Sequence, residues 1–65
     1  MKSRYDAETD ALYLRFTETA IVESEEVRPG IVLDFAAEGR IVALEILDAT
    51  EHLASGTDPA ALTAA

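Results

Sequence analysis

The chain has 65 residues, 49% of them hydrophobic, with no cysteine and a single histidine. That is room for one domain with a small core, and it excludes disulfides, thiolate-bound metal and clustered imidazoles as braces. Thirteen acidic against five basic residues give a formal charge of -8, a field that opposes nucleic acid and anionic membrane and favours a basic protein partner.

Below about 70–80 residues a single core supplies only about 3–5 kcal/mol. A second subunit is the brace that remains, so a homodimer is expected. No stretch approaches the roughly 18 apolar residues of a membrane span. Met1–Tyr5 does not lead into the apolar segment of a signal peptide. The expected compartment is therefore the cytoplasm, with no membrane partner.

Lys2 to Tyr5 reads as an extended segment, and Asp6 to Asp10 as a polar loop. In Ala11 to Phe16, Leu12, Leu14 and Phe16 alternate with Ala11, Tyr13 and Arg15, the period of a half-buried strand. The two segments make a first hairpin. Ile21 to Val27 carries Glu23, Ser24, Glu25 and Glu26, too much charge for a sheet centre, and is expected at an edge. Pro29-Gly30 supplies the fixed and the positive φ of a type II turn.

Ile31 to Leu47 is the organising hairpin. With Glu38-Gly39 as a two-residue turn, Phe35 faces Val42, Leu33 faces Leu44 and Ile31 faces Ile46, which makes one face wholly apolar. The run Ile41 to Leu47 is nearly continuous in apolar character, as in a strand covered on both sides. Asp48-Ala49-Thr50-Glu51 has the form of a capping box opening a helix of about two turns to Ala54. Asp58-Pro59 is a second start signal leading into Ala60 to Ala64, helical when docked and frayed otherwise.

The fold class is thus α+β: an antiparallel β meander of four to five strands followed by a short C-terminal helix. Residues 1–54 form a single domain and 55–65 a C-terminal tail. The second, half-apolar sheet face holds Ala11, Tyr13, Val32, Ile41, Ala43, Glu45 and Leu47, the candidate interface for another subunit.

No constellation that carries chemistry emerges. Asp6, Glu8 and Asp10 share the spacing of the first three calcium-loop ligands, but the glycine and the final glutamate are replaced by Ala11 and Thr17. A solvated hairpin loop is the better reading. Glu45 is expected to pair with Arg15 or Arg40, and His52 to be an exposed helix residue. Three scattered glycines make no phosphate loop, and the basic residues form no patch. The chain is therefore expected to be no enzyme, with no cofactor and no catalytic or metal-binding residue. The alternative is a small-molecule or enzymatic site at a dimer interface, lined by Glu45, Asp34, Tyr5 and Tyr13.

Three blocks carry a resemblance: Tyr5-Asp6-Ala7-Glu8-Thr9-Asp10-Ala11-Leu12-Tyr13-Leu14, Pro29 to Phe35, and Glu38 to Ala49. Together they resemble the small bacterial family catalogued as domain of unknown function 2283. Ala7 departs from a frequent proline of that family and Ala43 from a frequent glycine. Ala36 and Ala37 stand in place of more polar turn residues. The resemblance implies a compact α+β domain with no assigned activity and no catalytic residues to carry over. It also implies an antitoxin-like role toward a basic ribonuclease, since relatives can occur beside genes for small toxin-like ribonucleases.

Overall fold

The structure, a computed structural model, describes residues 1–63. Five strands form one antiparallel sheet: β1 (Lys2–Asp6), β2 (Ala11–Arg15), β3 (Glu23–Arg28), β4 (Ile31–Phe35) and β5 (Ile41–Ile46), in the order β1-β2-β5-β4-β3. The β1-β2 hairpin turns through Ala7 to Asp10, where the Asp6 carboxylate accepts the Glu8 N–H at 3.0 Å and Asp10 takes a left-handed φ of 56°. Short aspartates tolerate both roles. The β3-β4 turn is Pro29-Gly30, with Gly30 at φ +87°.

Between β2 and β3 the chain passes along the ends of β5 and β4. The Phe16 N–H donates to the Val42 carbonyl and the Val22 N–H to the Phe35 carbonyl, at 2.8 and 2.9 Å. Arg15 braces this crossing by donating to the Thr17 and Thr19 carbonyls, each at 2.9 Å. As a result β5 lies in the middle of the sheet, as its apolar run requires, and the charged β3 lies outermost.

The central hairpin keeps two of the three expected pairs, Ile31 with Ile46 and Leu33 with Leu44, but sets Phe35 opposite Ile41 instead of Val42. The turn is the cause. The Ala36 N–H donates to the Arg40 carbonyl and the Gly39 N–H to the Ala36 carbonyl, each at 2.9 Å. The loop is therefore the three residues Ala37 to Gly39, with Gly39 at φ +86°. An odd loop would exchange the two faces of β5, and one extra residue, Val42, restores the phase as a β-bulge.

Two clusters make the core. Leu12, Ile46 and Ala49 are ringed by Tyr5, Leu14, Ile31, Leu44 and Leu53. Ala36, Val42 and Ala43 are packed by Tyr13 and Ile21. Three of these six buried residues are alanines, and only Leu12 and Val42 are large side chains fully out of solvent.

The helix α1 (Ala49–His52) is a single turn, shorter than expected, and Asp48 does not cap it. Asp48 sits at φ 53° with no side-chain bond to the helix. The cap comes from the first hairpin. The Asp10 carboxylate accepts the Thr50 N–H at 3.1 Å and its hydroxyl at 2.6 Å, and the Asp10 carbonyl accepts the Ala49 N–H at 2.8 Å. Asp58 does act as expected, accepting the Ala60 N–H at 3.1 Å. It opens a 3-10 turn, Pro59–Thr63, that packs on β1 and buries Pro59. Ala64, the last residue of the expected second helix, lies outside the described residues.

Candidate functional site

Cross-strand register places the expected interface residues. Arg4, Tyr13, Glu45, Val32 and Glu26 form one continuous row across the sheet, and Lys2, Arg15, Ala43, Asp34 and Ser24 the next. Tyr13, Val32 and Glu45 are thus brought together on one face, with Ala11 a step along β2. Ala43 shares that face but has 0% of its surface exposed, so it is floor rather than contact. Ile41 does not belong there. The bulge at Val42 pairs it with Phe35 and turns it to the opposite face, where it is 46% exposed. Leu47 lies just past β5, 42% exposed, its N–H bonded to the Gly30 carbonyl at 2.7 Å.

Glu45 has neither of its expected partners. Arg15 is held by the crossing loop, and the ion pair found among the described residues is Lys2 with Glu18 at 3.8 Å, both largely exposed. Such a surface pair is worth about 1 kcal/mol or less. Glu45 instead borders an open hollow of about 700 Å³ with Arg4, Tyr5, Tyr13 and the β1-β2 loop. Of the other proposed lining groups, Asp34 accepts the Ser24 hydroxyl at 2.5 Å, and Tyr5 packs on the apolar face against the Leu12 cluster. Three of the four side chains of the alternative site, Tyr5, Tyr13 and Glu45, thus border one hollow, and Asp34 lies apart from it.

The opposite face is the more apolar one. Alternation from Leu12, Ile46 and Ile31 adds Leu14, Leu44, Leu33 and Phe35, with Ile41 paired to Phe35, and continued one residue past β2 it adds Phe16. The single turn of α1 covers only the end at Leu12 and Ile46. Leu14, Leu33, Leu44 and Phe35 remain half-buried, and Phe16 is 45% exposed. Sequence reasoning assigned most of this face to the internal core and missed the opening, because it assumed a helix twice as long.

Asp10 joins three elements. Besides capping α1 it accepts the Tyr5 hydroxyl at 2.5 Å. The Thr50 hydroxyl, and after it Tyr5, hold the Asp10 carboxyl below its ordinary value, while the same hydrogen bond to Asp10 raises the Tyr5 phenol above 10.0. Its oxygens are thus engaged within the chain. Among the described residues no three His, Asp or Glu side chains could hold a metal ion. His52 is less free than expected. Its Nδ1 lies 2.9 Å from the Leu47 carbonyl and 3.2 Å from that of Asp48. Both partners only accept, so Nδ1 carries the hydrogen.

The family model described as "Protein of unknown function (DUF2283)" matches residues 2–49, well over half of the chain. The chain belongs to this family. The matched span takes in all five strands of the DUF2283 sheet and the first residue of α1. Neither the curated proteins nor the solved structures give a match. Among the described residues of this DUF2283 protein, no helix is long and apolar enough to cross a membrane.

Proposed function

We propose that this DUF2283 domain works by contact with other proteins rather than by chemistry: a small, acidic, non-enzymatic, cytoplasmic interaction module that forms a homodimer. The observation that carries it is the apolar sheet face left half-covered at Leu14, Phe16, Leu33, Phe35, Ile41 and Leu44. Its six side chains are uncharged and the carboxylates of Glu23 and Glu25 stand at its β3 rim, so two chains of charge -8 can meet there without opposing carboxylates at the centre. This moves the self-association surface from the Tyr13–Glu45–Val32 row to the face across the sheet.

The acidic surface remains free for a basic partner, and the antitoxin-like version of this reading has it occupy the substrate groove of a basic ribonuclease. Complementary fields would speed such association and make it salt-sensitive. The reading of a small-molecule or enzymatic site at a dimer interface has one observation in its favour, the hollow beside Arg4, Tyr13 and Glu45.

Methyl spectra recorded as the protein is diluted test the dimer. The signals of Leu14, Leu33, Ile41 and Leu44 are expected to move with concentration while Val32 stays fixed. Movement at Val32 alone would return the interface to the polar face, and shifts independent of concentration would contradict self-association.

A further inference from the structure

The two edges of the sheet differ. The Pro59–Thr63 turn packs against β1, whereas β3 is exposed at every position and hydrogen-bonds to β4 alone. An exposed strand edge presents backbone donors and acceptors that another strand can take up. On β3, Glu23 and Glu25 lie opposite Phe35 and Leu33, and Ser24 and Glu26 opposite Asp34 and Val32. Ser24 is engaged by Asp34, and the Glu26 carboxylate accepts the Gly30 N–H at 3.2 Å. Glu23 and Glu25 have no ion pair among the described residues. They border a hollow of about 290 Å³ whose apolar wall is Val22, Phe35, Ala36 and Ala37.

We propose that the β3 edge receives an extended, lysine- or arginine-bearing segment of another protein as a sixth strand. One basic side chain lays its apolar stem along Val22 and Phe35 and places its head between Glu23 and Glu25. This rests on reading the chain as an interaction module and names the chemistry of its partner. A second copy is the wrong occupant of this edge: pairing β3 with β3 would set acidic side chains against each other, and like charges directly opposite are destabilising. A basic strand reverses the sign of each contact. The bulge at Val27 ends the regular edge at Glu26, so the recognised segment is short.

The test is an amide NMR titration of the full chain with a capped Lys-Val-Lys-Val-Lys-Val peptide. Two controls are the matching Glu-Val peptide and Lys-Val peptides N-methylated at alternate residues in either register. Shifts are expected at residues 22–26 and 35–37. Binding should be absent for the Glu-Val peptide, lost in one N-methylated register, and weaker by about tenfold or more in a Glu23→Gln, Glu25→Gln variant. That variant removes charge without reversing it, and its unbound spectrum reports whether the fold is kept.

Binding indifferent to N-methylation, or shifts spread over Glu8, Glu51 and other distant carboxylates, would overturn the proposal, leaving only general attraction. Concentration-dependent shifts at β3 without peptide in a Phe16→Asp variant, whose apolar face no longer self-associates, would assign the edge to a second copy and overturn it equally. Loss of edge binding in a chain that still dimerises refutes this inference alone. Loss of the dimer with edge binding intact refutes the self-association reading alone.

Discussion

Asp10 is the residue on which the first hairpin and the helix both depend. Its carboxyl is held below the ordinary value of 3.8 by Thr50 and Tyr5, so between the folded and ordinary values the unfolded chain binds more protons. Stability therefore rises with pH through that interval. The contribution is present above about pH 4 and lost as pH falls below it. Asp10→Asn should be less stable than wild type at neutral pH, with the gap closing as acid is added. Urea midpoints at pH 7 and pH 3 check this, and a gap constant with pH would contradict it. Tyr5 has the opposite sign: its raised phenol contributes below about pH 10 and ceases to do so as pH rises further. Two glycines offer a second comparison at this scale. Both take a positive φ, but a Cβ on Gly39 meets nothing within 4 Å, while one on Gly30 lies 3.1 Å from His52 Cε1 and 3.3 Å from the Leu47 carbonyl. Gly39→Ala should cost the conformational penalty alone, about 1–2 kcal/mol, and Gly30→Ala more. Thermal melts of the pair, giving equal losses, would rule out the crowding.

At the scale of elements, the strands were legible because alternation marks them and charge marks an edge. Leu12 and Leu14 announced β2, and Glu23 to Glu26 placed β3 outermost. The bulge was not legible, since in Ile41-Val42-Ala43-Leu44 every residue is apolar and alternation gives no phase to lose. Nor was the helix cap. Asp10 and Thr50 are forty residues apart, and a local capping box at Asp48 with Glu51 satisfied every sequence rule while its backbone turned left-handed. The placement of the candidate interface residues was half legible for the same reason: Tyr13, Val32 and Glu45 follow alternation onto one face, and Ile41 is displaced from it by the bulge. The 3-10 turn at Pro59–Thr63 leads to a prediction about edges. Truncation before Asp58 should expose β1, speed amide exchange along Lys2–Asp6 and promote sheet-to-sheet association, leaving β3 exchange unchanged. Protection of β1 equal to that of the full chain would show that the turn shields nothing.

For the whole molecule, the small core makes association matter. Leu12→Ala should remove about 2–5 kcal/mol, as much as a core of this size supplies, and leave an unfolded chain by circular dichroism. Burying the exposed halves of Phe16 and Ile41 is worth about 1 kcal/mol apiece. The six side chains of the open face together thus rival the internal core. A symmetric dimer buries both copies of that face, worth up to about 12 kcal/mol, which falls within the association cost of about 4–15 kcal/mol. The dimer is accordingly weak and dependent on concentration. Sedimentation equilibrium from about ten to several hundred micromolar tests this most directly, on wild type, Phe16→Asp and Leu47→Asp. Wild type and Leu47→Asp should rise from 7.0 kDa toward twice that mass, with Phe16→Asp folded and monomeric throughout. A wild-type chain that stays at 7.0 kDa across the range, or a Phe16→Asp variant that dimerises as wild type does, would contradict the account.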